Sequence, residues 1–292
     1  RVLPEFETRI QFKKSESLTF NYNMRNSFTD VTRLAEGLVL ENFNDIRFGN
    51  AELQNALSHN VSLFYRSFNL FNYTNVFARV AYNKNIDQIR SLTNFESVIR
   101  TSTFFNSEFA DESVSAFGRV QRTFGKIRAS LRANLSYSLN NQFVQGTQSV
   151  VESFRQNYTP ELRTNFREAP NFKVGYNYNI QDIDQGSSRT KAYTNAPSFE
   201  FDALIWKAFT FKSEYTYTNV SREVGGSNSF DFWDASLAYR KDADAKWEFE
   251  LKATNLLNTQ SQTQVNAGGL SVSTNEYFIQ PRFFTLRAIY NL

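Results

Sequence analysis

Cysteine is absent from the 292 residues, histidine and methionine occur once each, and only five prolines and eleven glycines are spread along the chain. Without Cys there are no disulfides, no thiol nucleophile and no Cys-ligated metal, a pattern that fits an oxidising compartment. His59 has no second His or Cys to join it, so it reads as a surface residue at a strand edge rather than a ligand or a base. No stretch approaches the roughly 18 to 20 consecutive apolar residues of a membrane-crossing helix, which excludes a helical membrane protein. A formal charge of +3, dispersed and without any run of five or six Lys or Arg, does not suggest a nucleic-acid partner. There is no P-loop, dinucleotide fingerprint, HExxH or nucleophile elbow. Glu248 and Glu250 share a strand face, but like-charged neighbours on a wet face are solvated or paired with Arg across strands, which is not an acid–base pair. The chain reads as a non-enzyme that asks for no cofactor.

What the chain has in excess is aromatic: 16% of residues, with 30 Phe and 14 Tyr. Yet Asn, Ser, Thr and Arg are abundant enough to make the mean hydropathy negative. The two properties are reconciled by position. In "ASLRANLSYSL" (129–139), Ala129, Leu131, Ala133, Leu135, Tyr137 and Leu139 share one face and Ser130, Arg132, Asn134, Ser136 and Ser138 the other. At 41% hydrophobic content this eleven-residue pattern arises by chance at a given start roughly a few times in ten thousand. Residues 172–180 and 247–253 repeat it. These are long strands with one apolar and one polar face.

About 13 such strands are expected, at 4–13, 17–25, 56–68, 73–88, 98–123, 126–140, 149–168, 171–182, 189–203, 208–219, 229–241, 245–257 and 276–292. Short connections (13–17, 123–126, 168–171, 241–246) alternate with longer polar ones (25–55, 140–149, 181–189, 219–229, 258–274). One end of the sheet therefore carries tight turns and the other carries loops, as in outer-membrane barrels. No linker or composition shift marks a second domain, so residues 1–292 read as one barrel domain.

Strand length and the filling of the polar face decide which face meets water. Soluble strands run about five or six residues, whereas a tilted bilayer crossing takes about nine to eleven. Arg132, Asn134, Lys173, Lys212, Glu214, Glu248, Glu250 and Lys252 sit at mid-strand, and an Arg or Lys against lipid there costs roughly 2–4 kcal/mol. They are expected to face a wet lumen. Tyr82, Trp206, Trp233, Tyr239 and Trp247, near strand ends, suit interfacial girdles.

The last ten residues, "FFTLRAIYNL", keep the alternation to the end, with Phe284, Leu286, Ala288, Tyr290 and Leu292 on one face. This strand resembles the C-terminal signature that the barrel-assembly machinery recognises in outer-membrane proteins, with Leu292 in place of the usual terminal Phe. "RFGNAEL" (47–53) resembles the G-N-P-x-L segment of TonB-dependent outer-membrane receptors, with Ala51 where Pro is usual. "ATNLLNT" (253–259) resembles the N-hydrophobic-hydrophobic-N/D segment of the same family. From the residues alone both read as turn chemistry, with Gly49 and Asn50 suited to positive φ and Asn255 and Asn258 to capping a strand end.

The resemblance implies a 22-stranded transmembrane antiparallel up-and-down β-barrel closed by an N-terminal plug, of which this chain is the C-terminal part. It also implies a Gram-negative outer membrane with lipid and lipopolysaccharide around it. Its partners would be the TonB complex, an extracellular ligand such as a siderophore, glycan or peptide, and a surface lipoprotein. Two other classes stay open: a complete, smaller passive barrel of 12 or 14 strands, and a structural or adhesive barrel acting through its loops.

Overall fold

The computed structural model describes residues 2–144, 146–167, 170–186, 188–223, 226–242, 244–268 and 271–290. In chain order, β1 (Glu5–Lys13) and β2 (Glu16–Ser27) form a hairpin. A short helix α1 (Val31–Leu34), whose first turn is held by the Thr32 amide donating to the Asp30 carboxylate, leads into a small hairpin of β3 (Leu38–Asn42) and β4 (Asp45–Phe48). Then come β5 (Ala56–Asn69), β6 (Thr74–Ile86) and a second inserted hairpin, β7 (Ile89–Glu96) with β8 (Ile99–Asn106). A meander follows through β9 (Asp111–Phe124), β10 (Ile127–Val144), β11 (Thr147–Thr164) and β12 (Asn171–Asp184). It continues through β13 (Arg189–Ile205), β14 (Phe209–Arg222), β15 (Ser227–Tyr239) and β16 (Trp247–Thr254). A third hairpin, β17 (Ser261–Gly268) with β18 (Ser271–Phe278), precedes the final strand β19 (Phe283–Tyr290).

Without the inserted hairpins, 13 strands remain, each antiparallel to the next. This is the up-and-down sheet of a transmembrane β-barrel. Its outer face is assembled from the alternation read in the sequence. One row crosses five strands as Phe20, Leu63, Val80, Ala116 and Leu135; another runs Ala203, Phe211, Leu237, Leu251 and Leu286. Among the described residues only Leu57, Val151, Ile183, Ala192 and Ala203 are buried apolar side chains. A sheet with so little interior and so continuous an exposed apolar face is stable only where a nonpolar medium covers that face.

Aromatic rings border the belt. At the turn end Trp206 packs on Phe209 and Phe209 on Tyr239, while Trp247 packs on Tyr290, with Lys246 over the Tyr290 ring. At the other end Trp233 donates its indole N–H to Ser213 at 2.9 Å, level with the end of β16.

The structure departs from the sequence reading in several places. The expected strand 98–123 is two strands, because Ser107 is buried and turns the chain: its amide donates to the Gln88 carbonyl, and its hydroxyl accepts from the Phe109 amide. The expected strand 276–292 is interrupted at residues 279–282, around Pro281, which has no N–H to donate to a ladder. The expected polar connection 140–149 is mostly strand, since β10 and β11 run on until only residues 145 and 146 separate them. The asymmetry of the two ends comes instead from the inserted hairpins and these overhanging strands. Finally, Gly49 and Asn50 do not have positive φ. A Cβ on Gly49 would lie 2.0 Å from the Ala35 carbonyl oxygen, so glycine is required there by close approach.

Candidate functional site

The polar face of the sheet gathers the charged side chains, and it divides into two unlike regions. On β11–β19, Lys173 bonds Glu200 at 2.5 Å and lies 4.0 Å from Glu161, while Arg287 pairs with Glu250 across the β16–β19 ladder. Glu200, Glu214 and Asp234 stand directly opposite one another on β13, β14 and β15. Lys212 and Lys252 flank this acidic row on β14 and β16. A groove of about 380 Å³ runs along this wall, lined by Arg163, Glu200, Lys212, Glu214, Asp234 and Lys252 among others. Six of the eight expected polar-face residues belong to this region, Glu248 at its edge opposite Ile289.

Arg132 and Asn134 lie apart from them, on β10, in a second region the sequence reading did not assemble. Register places Arg66, Phe77, Arg119, Arg132 and Thr159 in one row across β5, β6, β9, β10 and β11. The next row is Phe64, Arg79, Phe117, Asn134 and Asn157. Three Phe thus stand on a face expected to be polar, each beside an Arg. The Arg66 guanidinium donates to Ser17 at 3.1 Å and that of Arg119 to Gln121 at 2.9 Å. None of Arg66, Arg79, Arg119 and Arg132 pairs with a carboxylate among the described residues. A groove of about 240 Å³ adjoins the second row, between Arg79 and Arg155, with Phe117, Asn134, Asn157 and Asn179 along it. Alternation within each strand signalled the face; only the pairing between strands could bring these residues together.

At the loop end, β4 runs parallel to β8 and joins the first insertion to the second. Asn50 donates to the Phe104 carbonyl at 2.9 Å, and the Arg33 guanidinium lies over the Phe104 ring. Beneath them Arg90 forms an ion pair with Asp111, both largely buried, and Asp111 accepts from the Asn141 amide at 2.8 Å. The other motif, 253–259, is a locked turn. Buried Asn255, at φ 54°, donates from its side chain to the Thr259 and Gln280 carbonyls and accepts from the Thr259 amide. Asn258, at φ 57°, accepts from the Arg282 amide at 3.0 Å. His59 bonds the Tyr22 hydroxyl at 2.9 Å on the outer face. Among the described residues no group of His, Asp or Glu is arranged to hold a metal ion.

In the terminal strand Phe284, Leu286, Ala288 and Tyr290 pair opposite Ala253, Leu251, Phe249 and Trp247, all on the apolar face. Leu292 lies outside the described residues.

No family model and no curated protein matches the chain. A solved structure does. The FrpB iron transporter from Neisseria meningitidis (F3-3 variant) superposes with a TM-score of 0.53 at 10% identity, over 90% of this chain. The aligned part is 45% of that transporter, so the chain spans about half its length. At this identity the likeness is one of fold: both chains build the same kind of barrel wall.

Proposed function

We propose that the chain is the C-terminal part of the barrel of a TonB-dependent outer-membrane receptor that takes up a scarce or bulky ligand. The observation that carries this reading is the pairing of faces: a lipid-compatible outer face and, behind it, a wall of charged and amide side chains that can line a path for polar solute. The fold shared with an iron transporter supports it. So do the sheet's margins, since among the described residues no register joins β1 to β19. Unpaired strand edges in hydrocarbon cost several kcal/mol per backbone group, so further strands complete the barrel. In this reading the polar-face residues line the lumen and the inserted hairpins lie outside the cell. The terminal strand is the signal for the barrel-assembly machinery, lipid and lipopolysaccharide surround the belt, and a surface lipoprotein can sit on the loops. TonB is engaged by a region N-terminal to these residues.

The test is growth of cells that depend on the complete gene product for uptake, supplied in turn with chelated iron, oligosaccharides and peptides as sole sources. Uptake that stops when a protonophore collapses the proton-motive force supports the proposal. Uptake of small solutes at the same rate with and without the protonophore contradicts it and favours a passive barrel.

A further inference from the structure

Arg119 and Arg132 stand directly opposite each other on β9 and β10 with no carboxylate to separate them. Like charges in that position destabilise a sheet. Arg66 lies two strands from Arg119 in the same row, and Arg79 lies one row away, beside Phe77 on the same strand. With strands about 4.8 Å apart, Arg66 to Arg132 spans about 14 Å. Arg66, Arg79 and Arg132 are exposed, as are Phe77 and Phe117 between them. Asn134 and Asn157 extend the donor array toward the adjoining groove.

We propose that this wall is a binding site for a flat, conjugated polyanion. A guanidinium makes two parallel hydrogen bonds to a carboxylate, sulfonate or phosphate, and several spaced over about 14 Å suit an anion with charges at its corners. The Phe rings between them offer faces and edges to a planar ligand and none to its aliphatic equivalent. Occupancy removes the repulsion between Arg119 and Arg132. In the other region the row Glu200, Glu214 and Asp234 sets carboxylates among the cations Arg163, Lys212 and Lys252, which disfavours the same ligand there. The site rests on the reading that the polar face lines a lumen, but it needs neither energy coupling nor transport.

The test uses the complete gene product, purified in detergent, with pyrenetetrasulfonate as probe and fluorescence anisotropy as readout. The wild type binds it. Arg119→Gln weakens binding about tenfold, the loss of one charge-assisted bidentate contact, whereas Arg122→Gln, which removes the same charge from the other face of β9, leaves it unchanged. Phe77→Leu with Phe117→Leu weakens the probe several-fold while affinity for inositol hexakisphosphate stays as it was. Failure of the wild type to bind overturns the proposal, as does equal affinity in the Arg119→Gln and Arg122→Gln variants. Folding of each variant is checked by heat-modifiable gel mobility, and Arg66→Gln and Arg132→Gln serve if Arg119→Gln fails to fold. Binding without energised uptake would contradict the transport reading and leave this site standing; the reverse result would do the opposite.

Discussion

Leu251 and Leu286 face each other across the β16–β19 ladder with 49% and 77% of their surfaces exposed. In water that pair would be a liability; in lipid it is a contact surface. Each flanking position, Glu250 with Arg287 and Lys252 with Thr285, belongs to the opposite face. Two neighbouring residues on one strand therefore live in different solvents.

That difference predicts opposite outcomes for one substitution at adjacent positions. Leu135→Arg places a guanidinium in the belt and should cost roughly 2–4 kcal/mol, seen as less folded protein in heat-modifiable gel mobility. Asn134→Arg adds the same group to the polar face and should fold in normal yield. Equal damage from both rejects the division of faces.

The buried pair Arg90–Asp111 holds the β7–β8 insertion onto the sheet. Removing one partner leaves the other charge buried and unpaired, a loss of about 3–5 kcal/mol. Asp111→Ala should therefore open residues 87–110 to protease on intact cells while the barrel keeps its gel mobility. Unchanged protease resistance would contradict this and leave the β4–β8 ladder and the Asn50–Phe104 bond as what holds the insertion.

Asn255 combines a left-handed backbone with side-chain bonds that a buried turn needs. Asn255→Ala should cost about 2–3 kcal/mol, because the Thr259 amide and two carbonyls lose their partner. Asn255→Gly should cost about 1 kcal/mol less, because it keeps φ near 54° without strain. The urea midpoint of unfolding in detergent reads both. Identical midpoints for the two variants would contradict the argument from φ.

Topology is read by single cysteines, for which a chain without native Cys is a clean background. Asn44→Cys in the first insertion and Gln264→Cys in the third should label with a membrane-impermeant reagent on intact cells. Asp244→Cys, in the turn between β15 and β16, should not. The reverse pattern inverts the orientation.

The strands and their faces were legible because alternation is a property of each strand alone: residues 129–139 show it without reference to any partner. The insertions were less legible because their strands are short. In residues 98–123 adjacent Phe104 and Phe105 blur the period just before Ser107 turns the chain. The role of Gly49 was not readable at all, since it depends on the backbone at Ala35, fourteen residues away. The Arg–Phe wall was missed for a related reason. Arg119 and Arg132 are neighbours only through the β9–β10 register, which a two-residue turn and thirteen paired positions fix together.

The division of the sheet into an apolar face in lipid and a polar face in water can be measured residue by residue along β10. Spin labels at successive cysteines from Ala129 to Leu139, in the complete protein in outer membranes, report collision with oxygen and with a water-soluble nickel chelate. Odd positions should favour oxygen and even positions the chelate, with a period of two over the whole segment. Absence of alternation, or greater access of the chelate at Leu131, Ala133 and Leu135 than at Arg132 and Asn134, would contradict the account.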